Sequence, residues 1–230
     1  GGYEKASNRA AEPIARQFLA AGFNALVLRY SVNPSVLQVA LLEAADAMNM
    51  IREHADEWHV DPDAVAVIGF SAGGHLAANL ATSASDDVLA AHGYDPDAVR
   101  PNGLMLAYPV ITSGPLAHRG SFDSLLGERR NDPEALESVS IEHHIDTKTP
   151  PVFVWHTVPD EIVPCENTLM LIDACKKAGV SVEAHLFPQG GHGLSLGTVE
   201  TAWQGVDGIE PSMQIWTQLA VAWMRRTFAR

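Results

Sequence analysis

Five short apolar runs alternate along the chain with stretches of helical character: NALVLRY at residues 24–30, AVAVIGF at 64–70, GLMLAYPVI at 103–111, PVFVWHT at 151–157 and SVEAHLF at 181–187. Continuously apolar strands have both faces buried, and strands separated by helices run parallel because each helix carries the chain back across the sheet. This order predicts an α/β fold, a mostly parallel sheet with helices on both faces. The helices are read from apolar spacing and stop signals. One spans residues 7–22, with Ser7 as N-cap and Gly22 as terminator. Leu37, Leu41, Ala44, Met48, Ile51, Ala55 and Trp58 recur at alternating steps of four and three, the stripe of a long amphipathic helix. Further helices are expected after Ser71, over residues 164–178 before Gly179, and over 211–229. Residues 86–102 read as irregular, and 112–150 as an excursion with little regular pattern.

A length of 230 residues, 47% of them hydrophobic, fits one domain over residues 1–230. A net charge of −13 argues against nucleic acid or an anionic membrane as partner, because both would repel the protein. No apolar run approaches the roughly 20 residues needed to span a bilayer, and residues 1–30 have no secretory pattern. The expected location is cytoplasmic, with secretion left open by the possibility of upstream sequence. Cys165 and Cys175 fall in one helical pattern, where ten residues at about 1.5 Å each hold them roughly 15 Å apart, beyond disulfide reach.

The most informative stretch is GFSAGG, residues 69–74, which places Ser71 in a Gly-x-Ser-x-Gly pattern between a strand and a helix. Gly69 and Gly73 are read as leaving room at a sharp turn that lifts the Ser71 hydroxyl above the carboxyl edge of the sheet. The following helix aims its first amides, Ala72 foremost, at the same space. A phosphate loop is ruled out by the absence of Lys-Ser or Lys-Thr after the glycines, and Gly-x-Gly-x-x-Gly is absent as well. A close-packed turn without chemistry is the bland alternative.

A serine hydroxyl needs a histidine base and an acid to orient it, and in this architecture they follow in the order Ser, acid, His beyond later strands. Asp160 follows the strand ending near Trp155, and His192 follows the next strand in HLFPQGGHGLSL. Glu161 competes with Asp160, but the spacing to Val163 and Pro164 favours Asp160. Among ten histidines, His192 stands out by its flanking glycines, read as an open and mobile loop. His75 lies within the helix after Ser71, and His156 sits beside a strand end. Glu142, His143 and His144 lack the spacing of a metal site.

At this point the chain resembles the α/β-hydrolases of the acetyl-xylan-esterase-like, carbohydrate-esterase type, close to the hormone-sensitive-lipase branch. The blocks that carry the resemblance cover most of the chain: GGYEKASNRAAEPIARQFLAAGFNALVLRYSV, IREHADEWHVDPDAVAVIGFSAGGHLAANLAT, AYPVITSG, PPVFVWHTVPDEIVPCENTLM and FPQGGHGLSL. It implies that Ser71 is the nucleophile, Asp160 the acid and His192 the base. Pro159 departs from the family, which commonly has a second Asp there. The family's glycine-rich oxyanion loop corresponds to GGY at the start of this chain, so Gly1 and Gly2 would join Ala72 in supplying amides to the oxyanion. In the family's sheet the strand before that loop lies between the runs at 24–30 and 64–70. A gap is therefore expected there, as in a fragment of a longer protein, unless the sheet closes with different pairing.

The function implied is a serine esterase acting on short acyl, chiefly acetyl, esters, with xylan-derived sugars as the carbohydrate part. The partner is a small-molecule ester, and no metal or organic cofactor is called for. Residues 112–150, with Phe122, Leu125 and Leu126, are a candidate lid or pocket wall, and Tyr3, Tyr30 and Tyr108 are candidate site aromatics. Two alternatives remain: a prolyl-oligopeptidase-like serine peptidase, which shares the elbow and the order of the triad, and a hydrolase-like fragment with a disabled oxyanion hole.

Overall fold

A computed structural model describes residues 1–33, 37–204 and 207–229, the side chain of Leu37 excepted. Four strands, β1 (Ala66–Phe70), β2 (Gly103–Ala107), β3 (Val152–Thr157) and β4 (Val182–Phe187), form one sheet in the order β1-β2-β3-β4, every pair parallel. Nine helices are described: α1 (Glu12–Ala20), α2 (Leu37–Glu53), α3 (Ala72–Ala81), α4 (Asp86–Ala91), α5 (Pro96–Val99), α6 (Arg119–Leu126), α7 (Pro133–Glu137), α8 (Glu166–Ala178) and α9 (Trp216–Thr227).

The alternation of side chains along β2 and β3 divides the interior into two layers. Leu104, Leu106, Val152 and Val154 face one way, against Ala77 and Ala81 of α3 and Leu171 and Cys175 of α8. Met105, Phe153 and Trp155 face the other, against Ile14 and Phe18 of α1 and Trp216 and Trp223 of α9. The central strands are thus buried on both faces, and burial of apolar area at roughly 25 cal/mol per Å² is what holds the sandwich of helices to the sheet. Cys165 and Cys175, at the start and within α8, are both free thiols.

Several expectations about elements are corrected. Ser7 makes no side-chain cap bond, and a short 3-10 turn at Asn8–Ala10 precedes α1, whereas Gly22 does end this region with φ +90°. The long helix stops at Glu53, and residues 54–59 continue as turns because Val60 N–H is captured by the Ala55 carbonyl at 2.8 Å. The last helix begins at Trp216, after a 3-10 turn over Pro211–Met213. Residues 86–102 contain α4 and α5, and the excursion 112–150 contains α6 and α7. These helices are short and carry little periodicity; α5 and α7 start at side-chain caps from Asp95 and Asp132, whereas α4 and α6 have no such cap.

The largest correction concerns NALVLRY. Residues 23–32 run without helix or strand assignment and join no ladder; Leu26, Val27 and Leu28 are exposed. A strand exists only with a partner, and between this run and β1 lies a groove of about 640 Å³, lined by Ile14, Phe18, Leu26, Ile68 and Leu80 among others. Among the described residues β1 is therefore the edge of the sheet. The expected gap lies beside β1, and among the described residues the sheet does not close across it by other pairing.

Candidate active site

The end of β1 turns directly into α3, and Ser71 at the corner has φ +55° and ψ −121°, a region that L-residues occupy only when their surroundings compel it. Hydrogen bonds to the neighbouring strand supply the compulsion: Ser71 N–H donates to the Ala107 carbonyl at 3.0 Å, and Val110 N–H donates to the Ser71 carbonyl at 3.2 Å. Gly69 is required sterically, since a Cβ there would lie 2.2 Å from the Gly73 carbonyl oxygen. The reading of Gly73 is corrected: a Cβ there would meet only the Tyr30 hydroxyl, at 3.3 Å. The cramped helical glycine is Gly74, whose Cβ would lie 2.9 Å from that of Pro109.

Three side chains named from spacing meet at this corner. Ser71 Oγ lies 2.7 Å from His192 Nε2, and His192 Nδ1 lies 2.7 Å from Asp160 Oδ2. An ionised carboxylate can only accept, so Nδ1 carries the proton in the neutral ring and Nε2 presents its lone pair to the Ser71 hydroxyl. The other carboxylate oxygen of Asp160 accepts from the amides of Ile162 at 2.9 Å and Val163 at 3.0 Å. Burial of Asp160 by itself would raise its pKa, but hydrogen bonds from His156 and His192 and the Val163 amide overcome it and hold the carboxyl well below the usual range. Glu161 points into solvent and does not compete.

His156 is a participant that spacing did not single out. It is fully buried, and its Nε2 faces both Asp160 Oδ2 at 3.2 Å and the Val163 carbonyl at 3.0 Å, two acceptors that place the proton on that nitrogen. Its Nδ1 accepts from Thr168 Oγ1 at 2.8 Å. Asp160 is thereby gripped from four donors, and its orientation toward His192 is fixed. The only signal in the sequence is that His156 precedes Asp160 by four residues across a turn.

The His192 loop is more constrained than its glycines imply. Thr157 Oγ1 donates to the Gly191 carbonyl at 3.1 Å, Ser195 N–H donates to the Tyr108 hydroxyl at 3.2 Å, and Trp216 Nε1 donates to the Ser195 carbonyl at 2.9 Å. The Tyr108 ring stands edge-on to His192 with centroids 4.9 Å apart, and burial pushes the Tyr108 phenol up to about 12, so it stays a neutral wall. The glycines serve conformation: Gly190 has φ +102° and Gly193 φ +76°.

Ala72 is the first residue of α3, and among the described residues the amides of Gly2, Tyr3 and Ala72 donate to no protein acceptor. The Gly1 amine donates to the Lys5 carbonyl. Gly2 and Tyr3 both have left-handed backbone, φ +65° and +58°. Tyr3 is buried and Tyr30 packs beside it, their ring centroids 6.2 Å apart. Of the residues named for a lid or pocket wall, Phe122 and Leu125 are buried in the core and Leu126 packs half-buried against it. The excursion also brings His118 into the field of His192 and Asp160. Burial is the main cause that lowers the His118 pKa, followed by the His192 charge. His143 and His144 bond to Glu137, and among the described residues no group of three His, Cys, Asp or Glu side chains converges as a metal site requires.

The protein-family model BD-FAE matches residues 1–174. The chain belongs to the BD-FAE family. An acetyl ester-xyloside bifunctional hydrolase from Caldicellulosiruptor lactoaceticus superimposes with a TM-score of 0.85 at 36% identity, over 98% of this chain and 79% of that one. The carboxylesterase Cest-2923 from Lactobacillus plantarum WCFS1 gives 0.84 at 28% identity, over 98% and 82%. Among curated proteins, endo-1,4-beta-xylanase B of Butyrivibrio fibrisolvens is 33% identical over 89% of this chain, and an acetylxylan esterase of Xylanibacter ruminicola is 29% identical over 86%. The chain spans only 33% and 40% of those two relatives' lengths. This BD-FAE chain has the α/β-hydrolase fold, and its described helices include none long and apolar enough to cross a membrane.

Proposed function

We propose that the protein is a serine esterase that removes short acyl groups, chiefly acetyl, from carbohydrate esters such as those of xylan oligosaccharides. The observation that carries the reading is the unbroken hydrogen-bond chain from Ser71 through His192 to Asp160, mounted on a strained elbow beside free amides. In the first half-reaction His192 Nε2 takes the Ser71 proton as Oγ attacks the ester carbonyl. The carbonyl oxygen becomes an oxyanion held by amides of the Gly1–Tyr3 loop, Gly2 foremost, and of Ala72. Collapse breaks the bond to the alcohol oxygen, which receives the proton from His192. In the second, His192 deprotonates water, which attacks the acyl-enzyme, and the proton returns to Ser71 Oγ as the acid leaves.

The acetyl and xylan assignments rest on relatives whose names carry them, the bifunctional hydrolase and the acetylxylan esterase. An uncharged sugar ester is also compatible with a chain of net charge −13. The test is hydrolysis of p-nitrophenyl acetate, butyrate and octanoate, and acetate release from acetylated xylo-oligosaccharides, beside a folded Ser71→Ala control. Expected are turnover that falls with acyl length, acetate release from the sugar, and loss of both in the control. Equal rates with and without Ser71 would overturn the reading, and hydrolysis of an acyl-proline peptide in preference to the esters would replace it with a peptidase.

A further inference from the structure

His75 is a fully buried titratable group that the proposed reaction does not use. It stands one turn after Ser71 on α3, and both ring nitrogens are committed. Nε2 lies 2.8 Å from the Val139 carbonyl, an obligate acceptor, so Nε2 carries the proton and Nδ1 is left as a lone pair. That lone pair accepts from the Tyr3 hydroxyl at 2.8 Å. The rings of Tyr3 and Phe122 stand edge-on to the imidazole, with centroids 5.8 Å and 5.3 Å away. Burial lowers the His75 pKa to about 4, against the opposing pull of the Val139 carbonyl, so at neutral pH the ring is uncharged.

Tyr3 is the residue through which the amino-terminal loop is held. Its carbonyl accepts from Asn33 N–H at 2.7 Å, while its own amide and that of Gly2 stay free in consecutive left-handed conformations. Gly2 and Tyr3 are the central residues of a turn closed by Glu4 N–H donating to the Gly1 carbonyl at 3.1 Å, which accounts for their left-handed backbone, but the loop joins no ladder that would fix this turn against Ser71. We propose that His75 is a positioning residue that registers the Gly2–Tyr3 amides against Ser71 and Ala72, the Tyr3 hydroxyl being the tether and the Val139 carbonyl the device that selects the imidazole tautomer. Ser71, the Ala72 amide and the anchor then sit on the start and first turn of one helix, and the excursion 112–150 contributes the hydrogen-bond acceptor that orients the anchor. The inference rests on the reading of these amides as oxyanion donors.

The test compares Tyr3→Phe, His75→Leu and His75→Asn, whose Oδ1 takes the place of Nδ1 as acceptor. Loss of one oxyanion donor lowers kcat by about 10² to 10³, so a loosened loop should cost at least about tenfold. For p-nitrophenyl acetate, with rates expressed per titrated active site, Tyr3→Phe and His75→Leu are expected to lower kcat at least tenfold with KM within about twofold. His75→Asn should recover most of the loss. Nitrogen-15 imidazole spectra at neutral pH should show one Nε2–H tautomer whose Nδ1 resonance moves in Tyr3→Phe. Unchanged kcat per site in Tyr3→Phe, or a His75 in the Nδ1–H tautomer, overturns the proposal. If the wild type has no Ser71-dependent turnover while the Nδ1 resonance still moves, the esterase reading has failed, and the tether remains a structural anchor without the positioning role.

Discussion

The four donors around Asp160 make Asp160→Asn a sharper probe than an alanine. Oδ1 accepts from two backbone amides, Ile162 and Val163, that cannot move or reverse polarity. In the variant the amide oxygen must stay on that side, since the opposite orientation would press an NH2 group against two N–H donors. The new NH2 therefore faces His192 Nδ1, which can no longer donate. The imidazole is driven to the tautomer with its proton on Nε2, which then points a proton at Ser71 where a lone pair is needed. Wrong-tautomer trapping of this kind costs about 10⁴ in kcat, or roughly 5 kcal/mol in the barrier. The assay is kcat for p-nitrophenyl acetate in a variant whose circular dichroism matches the wild type, with Glu161→Gln beside it. The expected pattern is a loss of about four decades for Asp160→Asn and less than twofold for Glu161→Gln, whose carboxylate lies in solvent. A folded Asp160→Asn enzyme that loses less than about tenfold would refute the role assigned to the carboxylate and the tautomer argument with it.

Gly69→Ala brings a Cβ within 2.2 Å of one backbone atom and 2.7 Å of another, neither of which can swing aside, so urea melts should show a loss above about 4 kcal/mol or no folded protein. Gly73→Ala meets only the hydroxyl of Tyr30 and gains helix propensity, so its stability should lie within about 1 kcal/mol of wild type. The two results exchanged would refute the geometry of the elbow. Asp160 has a folded-state pKa held below the unfolded value of about 3.9, so its contribution to stability is complete above that pH and is lost as pH falls through and below it. Between pH 5 and pH 2 the wild type should therefore lose more stability than Asp160→Asn, as measured by thermal melts; parallel curves would contradict the depressed pKa.

What the chain discloses before folding divides along a physical line. The runs at 103–111 and 151–157 are legible because burial on both faces of a sheet demands apolar residues at successive positions, while those at 64–70 and 181–187, which become the half-buried outer strands, are legible from their β-branched and apolar residues and their alternation with helices. NALVLRY meets the same demand and fails, because a strand also needs a neighbour, and a neighbour is not a property of the seven residues themselves. The helical ends fail for a related reason: the captured Val60 amide ends α2 short of Trp58, although the apolar stripe runs on. The convergence of Ser71, Asp160 and His192 is legible because each follows a strand, and the loops after parallel strands meet at one edge of the sheet. His156 is not, since nothing about its position announces that Asp160 will turn back onto its ring.

His75 shows where such reading stops and what replaces it. At the level of sequence it is a helix residue four places after Ser71, and its burial alone would make it a core histidine. Its tautomer, however, is set by the Val139 carbonyl, 64 residues away, and its acceptor is used by Tyr3, 72 residues away in the other direction. Neither separation has a periodicity or a motif, so only the folded chain can display the connection. The same holds for the groove beside β1, whose walls come from the run at 22–30, from β1 and from residues of α1, α2 and α3 far apart in the chain. A mutation in the GGY loop and one near Val139 should then couple, because both act on the two nitrogens of a single ring. The residues proposed to hold others in register are visible only in the contacts of the fold, while those proposed to perform the chemistry follow the order of the loops.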